Sequence, residues 1–330
     1  MKSAASTRPV ILLGPQREQP SVHSAVDALA PTGRVATVTA GWEEREAEDR
    51  ELIEHLSRDT VNLGLFPRTE QVFEQDPELF RAMQARNDIL RRQRELYGVR
   101  LAPALEVARS LMARRGTQAA VQDSADELLE REITSAIETV RHLDQHHFQA
   151  VCSVRAEFED RWRPLERDAV ASHRDELAQK LSDCSVLCIA GGHVGILLNR
   201  LRLFDVMGLI PELPIVAWAG GAMVLAQRIV LFHDSPPQGA GHAEVFQQGL
   251  GVIDGLVPLP HASRRLQLDD ALRVSLFARR FSPALCPALD PGSRLDYADG
   301  TWSGPEVQCL AADGSMKPFV HQSPRAEVLS

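Results

Sequence analysis

Two short segments in the second half of the chain limit the fold more than any bulk property. Ser185-Val-Leu-Cys-Ile-Ala190 is an apolar run that ends in Gly191-Gly192 and continues into a helical pattern carrying Ile196, Leu197, Leu201 and Phe204. Ile215-Val-Ala-Trp218 repeats the arrangement, followed by Ala219, Gly220-Gly221 and a helix from about Ala222. A buried strand that turns through glycine directly into a helix is the unit of a parallel α/β sheet. Two such units predict two turns side by side at the carboxyl edge, where open α/β sheets bind ligands.

The first 72 residues share this texture. Runs at 8–15, at 34–39 and from Val61 to Phe66 read as strands, with helices over Val22–Leu29 and Glu43–Leu56. At Asp76-Pro77 the pattern changes, because Asp76 suits a helix N-cap and Pro77 the first helical position. Helices are expected from there to about Tyr97, from Pro103 to about Arg115, up to Trp162, and over Leu165–Leu181. Glycine agrees: 15 of the 21 glycines follow residue 150, and none lies between Gly116 and Gly191. The chain therefore reads as a first part of an α/β domain (1–72), a helical insertion (73–184) and a second part carrying the turns (185–330).

Bulk properties remove several function classes. A net charge of -9 leaves no basic stripe for nucleic acid. No apolar run approaches the roughly 18 residues of a membrane span, and Val10–Leu13 is too short for a signal-peptide core. The five cysteines form no CxxC and read as free thiols, so a cytoplasmic location is expected. The basic residues are almost all arginine, as in a GC-rich bacterial genome. Glu138, His142 and His146 share one helix face beside His147, but without an HExxH pattern that face reads as solvated, and no metal site is expected. Arg264-Arg265 and Arg279-Arg280 likewise read as solvated pairs. No cofactor is expected.

The segment Ile215–Met223 has the form of a nucleophile elbow. Small residues stand two before and two after the apex, Ala217 and Gly221, so that a strained strand-to-helix turn can form. The apex itself is Ala219. A methyl group cannot attack a carbonyl.

On these residues the chain resembles the cyanophycinase and aspartyl-dipeptidase (dipeptidase E-like) family of serine peptidases, in the class I glutamine amidotransferase-like superfamily. VAWAGGAMV is similar to that family's GWSAGAN elbow, with Ala219 where the family has serine. IAGGHVGILLNRL is similar to its TGG-[ND]-Q turn. The resemblance implies an oxyanion and substrate-binding set of Gly191, Gly192, His193 and Gly220. His233-Asp234-Ser235-Pro236 matches the family's acid, 15 residues past Ala219, and His261 its histidine, 42 residues past it. Ser263 is not on an elbow and is not read as a replacement nucleophile.

The resemblance spans roughly Cys184 to Ser303 and implies a three-layer α/β sandwich of the class I glutamine amidotransferase-like or flavodoxin-like type, with a mostly parallel sheet and a large all-helical insertion. The expected function is a catalytically degenerate relative of these peptidases. It would bind a peptide or small molecule in the old cleft, or a protein partner or second copy through the insertion, and neither nucleic acid nor membrane. The alternatives are an amide hydrolase using His261 as general base, and an oligomeric structural partner in a bacterial complex.

Overall fold

The strands explain both faces of the sheet. In Val10–Leu13 (β1), Val10 and Leu12 point into one apolar cluster and Ile11 and Leu13 into another, and all four are buried. The same division holds for Arg34–Val38 (β2), Cys184–Ile189 (β4) and Ile215–Trp218 (β5). A run that buries alternate residues on opposite faces requires helices on both sides. Val22–Ala28 (α1) and Arg50–Leu56 (α2) cover one face with Val22, Val26, Leu52 and Leu56. The other face carries Leu65–Gln75 (α3), Val194–Leu203 (α7) and the short Gly220–Leu225 (α9).

In this computed structural model residues 8–29, 31–115, 123–234 and 241–320 are described. Thr60–Asn62 (β3), β2, β4, β5 and β1 run parallel in that spatial order. Later strands complete the picture after Arg228–Leu231 (β6), Glu244–Gln248 (β7), Leu259–Pro260 (β8) and Pro287–Leu289 (β9). Arg294–Ala298 (β10) and Thr301–Ser303 (β11) extend the main sheet antiparallel beyond β1. Gln308–Leu310 (β12) and Met316–Pro318 (β13) join β9 and β8 in a second small sheet. The fold is thus mixed α/β with a mostly parallel central sheet. None of the described helices is long and apolar enough to cross a membrane.

Helix occupies almost all of the chain between β3 and β4. Pro77–Met112 (α4) and Asp123–Trp162 (α5) form a long hairpin, and Asp168–Leu181 (α6) leads back to the sheet. Two details differ from the sequence expectation. α4 is one helix of 36 residues, although Pro103 removes an N–H from its middle. Tyr97, Leu101, Leu105 and Ala108 are buried along one side, and this continuous packing holds the helix through the proline. The expected helix from Glu43 is also broken. Ala40–Arg45 is a 3₁₀ turn interrupted at Glu43, and α2 begins only at Arg50. Glu46 explains the break, because its buried carboxylate accepts from the Leu65 and Phe66 amides, at 3.1 and 2.6 Å, and so ties the turn to α3.

The hairpin is fastened to the body by a buried polar network. Arg280, on Ala271–Phe281 (α11), donates to both oxygens of Asp144 on α5, at 2.7 Å each. The same guanidinium donates to Tyr97 Oη at 2.9 Å and to the Ala243 carbonyl at 2.7 Å, while Tyr97 donates to Asp144 at 2.6 Å. His147 stacks on the Tyr97 ring at 4.1 Å between centroids. Arg280 is only 4% exposed, so its reading as a solvated arginine is corrected: a buried charge needs a partner, and Asp144 supplies it.

Candidate functional site

Ala219 sits at the end of β5 with φ 49° and ψ -123°. A residue bearing a Cβ is disfavoured there by roughly 1–3 kcal/mol, so the surrounding structure must impose the turn. Its neighbours show how. A Cβ at Gly221 would lie 2.2 Å from the Ile189 carbonyl, and one at Gly191 would lie 2.7 Å from the Ala219 methyl. The two strand–glycine–helix turns are packed backbone to backbone, and glycine is required on both sides of the contact.

Gly192 adopts φ 125°, and a Cβ there would fall 2.2 Å from the carbonyl oxygen of Gly41. That oxygen accepts from the His193 amide at 2.7 Å. The turn after β2 therefore joins the other two, and β2, β4 and β5 present three tight turns along one edge. The ring of His193 caps α7, with Nδ1 accepting from the Ile196 amide at 3.2 Å. Gly192 and His193 are exposed at the edge, whereas Gly191 and Gly220 are buried.

The edge holds a feature that the sequence concealed. Glu43 has φ 62° and ψ -129°, nearly the conformation of Ala219. Its strain was hidden because the surrounding AGWEER reads as helix in pattern. Only the Gly41–Trp42 dipeptide before it signals a turn.

His261 caps Ala262–Arg265 (α10) in a left-handed conformation, φ 57°. It reaches the same edge through Gly14: the His261 amide donates to Leu289, and the next residue, Asp290, places its carbonyl where a Cβ of Gly14 would be, at 1.8 Å. Gly14 directly follows Leu13, which pairs with Trp218 in β5. Burial, together with Arg265 and Arg264, pulls the His261 imidazole below its ordinary pKa, against opposing effects of Asp290 and Glu18. This favours the neutral form of the ring. Asp290 also accepts from the Ser263 amide at 3.0 Å and from its hydroxyl at 2.9 Å, so Ser263 is occupied as a turn residue.

Asp234 has a different partner from the one the resemblance implies. Arg273 on α11 grips both carboxylate oxygens, through Nε at 2.6 Å and through Nη2, and the Gln267 amide donates at 2.8 Å. Asp234 is buried, and among the described residues no hydrogen bond links it to His261. Ser235 and Pro236, which belong to the same matched segment, lie outside the described residues. A bidentate arginine pair of this kind anchors a loop.

The structure therefore brings Ala219, Gly191, Gly192, His193 and Gly220 together, places His261 on the same edge, and ties Asp234 to α11. The edge can orient a carbonyl or carboxylate by backbone amides, yet the apex offers no nucleophile. Glu138, His142 and His146 are exposed along α5, and His147 is buried against Tyr97. No group of metal-ligating side chains occurs among the described residues.

No protein-family model and no curated protein matches the chain. Among solved structures it is similar to a peptidase from an acI-B1 Actinobacterium, with 10% sequence identity and a TM-score of 0.46, over 96% of this chain and 98% of that one.

Proposed function

We infer that this chain is a catalytically silent protein of the class I glutamine amidotransferase-like, cyanophycinase-type fold, in which the former active-site edge binds a ligand without cleaving it. The carrying observation is Ala219, a methyl group held in the strained elbow conformation that serves to present a nucleophile. Two further facts support the reading. Asp234 is bound by Arg273 and so is not free to orient His261. Serine or triad loss in enzymes of this logic lowers turnover by about 10⁶, which leaves too little for peptidase duty. The five cysteines are free thiols, as suits work in the cytoplasm.

The test is hydrolysis of acidic dipeptides and of a cyanophycin-like polymer by the unmodified protein and by its His261→Ala variant. No turnover above buffer is expected from either. Robust turnover lost on His261→Ala would establish the alternative, in which the neutral imidazole activates water.

A second reading has its own observation. Ile89, Leu96, Val99 and Val107 on α4 are each at least half exposed, and they share one face of the helix. Assembly through the hairpin predicts a concentration-dependent mass in light scattering that falls to the monomer on Leu96→Glu with Val99→Glu. A monomer at all concentrations would exclude self-association through this face.

A further inference from the structure

A cavity of about 510 Å³ opens on the seam between the helical hairpin and the body. α4 and α5 form one wall, and α7 with the loop after β7 the other. Its charged lining is four arginines, Arg86, Arg155, Arg163 and Arg202, and three carboxylates, Glu159, Glu166 and Asp205, the last paired with Arg174 at 3.3 Å. Arg155 is paired with Glu159 at 2.7 Å, and Arg163 with Glu166 at 3.4 Å. Arg86 and Arg202 are different, because neither forms an ion pair among the described residues.

Their contacts are to neutral oxygens. Arg86 donates to the side-chain amides of Asn87 and Asn199, at 3.1 and 3.3 Å, and its guanidinium lies 4.6 Å over the Phe158 ring. Arg202 donates to the backbone carbonyls of Gln248 and, at 2.9 Å, Gly249. The Nε of each is buried without a partner. Burial and the nearby Arg155 pull both guanidiniums below the ordinary arginine value, and Glu159, already held by Arg155, offsets this only in part. Two largely buried guanidiniums that line one cavity without an ion-pair partner are costly to keep charged. An anion in the cavity removes that cost.

We propose that this seam cavity is a binding site for a small organic dianion, gripped by the guanidinium forks of Arg86 and Arg202. The fork geometry suits carboxylate and phosphate oxygens alike. The volume lies in the range of small-molecule sites, and Met83, Phe158, Leu165 and Leu250 supply an apolar flank for the ligand's carbon body. Because both walls contribute, a bound dianion would cross-link hairpin and body. This site is separate from the elbow edge, and the proposal does not depend on how that edge functions.

The experiment is calorimetric titration and thermal denaturation of the whole protein with glycerol phosphate, succinate and, as a monoanion control, acetate. Saturable binding of glycerol phosphate or succinate below about 10 mM is expected, with a rise in Tm that acetate does not give. The preferred probe identifies the head group as phosphate or dicarboxylate. Arg202→Met and Arg86→Met should each weaken binding at least tenfold. Without ligand, both should melt at or above the wild-type Tm, since each removes an uncompensated charge. Should either fail to fold, Arg202→Lys, which keeps the charge and loses the fork, should show the same weakening. His261→Ala should bind as wild type does. The proposal is overturned if neither dianion binds, if acetate binds equally well, or if the arginine variants bind unchanged.

Discussion

The carboxyl edge of the sheet and the hairpin seam divide the properties of a functional site between them. At the edge the backbone is built to a demanding geometry, with Ala219 at φ 49° and Gly192 at φ 125°, while the apex side chain is a methyl group. At the seam no motif is present, yet two arginine side chains are largely buried, each with an unpartnered Nε. The seam itself contains a further contrast. Arg280 is neutralised by Asp144, with Tyr97 accepting a further hydrogen bond, and serves to hold the hairpin, whereas Arg86 is met by amide oxygens and the Phe158 ring and Arg202 by backbone carbonyls. The edge therefore carries backbone geometry with a methyl group at its apex, and the seam carries guanidinium groups without an ion-pair partner among the described residues.

The largest expected effect lies at the compensated arginine. Asp144→Ala leaves Arg280 buried and unpaired, and should lower unfolding free energy by about 3–5 kcal/mol in urea titration. Arg202→Met, at the uncompensated arginine, should cost nothing in the same titration. Equal losses at the two positions would erase the contrast. Next in size is the edge. Gly192→Ala places a Cβ against the Gly41 carbonyl in a left-handed conformation, and should cost about 2–3 kcal/mol.

A smaller effect of opposite sign is expected at the apex. Ala219→Gly relieves the positive φ and should stabilise the protein by about 1 kcal/mol. A loss of stability there would mean that the methyl group is a packing element rather than a remnant.

The smallest effect is a pH dependence. Burial pulls His147 below its ordinary pKa, so the unfolded chain binds a proton more readily than the folded one. The resulting stability is complete above the unfolded value of about 6.5 and declines as pH falls below it. His147→Phe keeps the stack on Tyr97 and removes the titration. Its stability should fall less than that of the wild type between pH 7 and 5.

Legibility in the sequence followed the range of the interactions. β4, β5 and their two glycine turns were readable because a continuous apolar run leading into Gly-Gly is a local signal. The apex at Ala219 was readable from Ala217 and Gly221 for the same reason. α4 was read as two helices because Pro103 is a local breaker, while the packing that overrides it comes from α5. Glu43 was misread as helical because its strain is set by Glu46 reaching α3, 19 residues on. The partners of Asp234 and Arg280 lie 39 and 136 residues away and leave no local trace. The seam cavity was invisible for the same reason, since it exists only where the hairpin meets the body.

Catalytic silence at the edge is the central claim, and a single comparison tests it most directly. Release of amino acids from an acidic dipeptide is measured for the wild-type protein, Ala219→Gly and His261→Ala, each checked for folding by its melting curve. Three rates indistinguishable from buffer are expected. Wild-type hydrolysis that survives Ala219→Gly and disappears in His261→Ala would contradict catalytic silence.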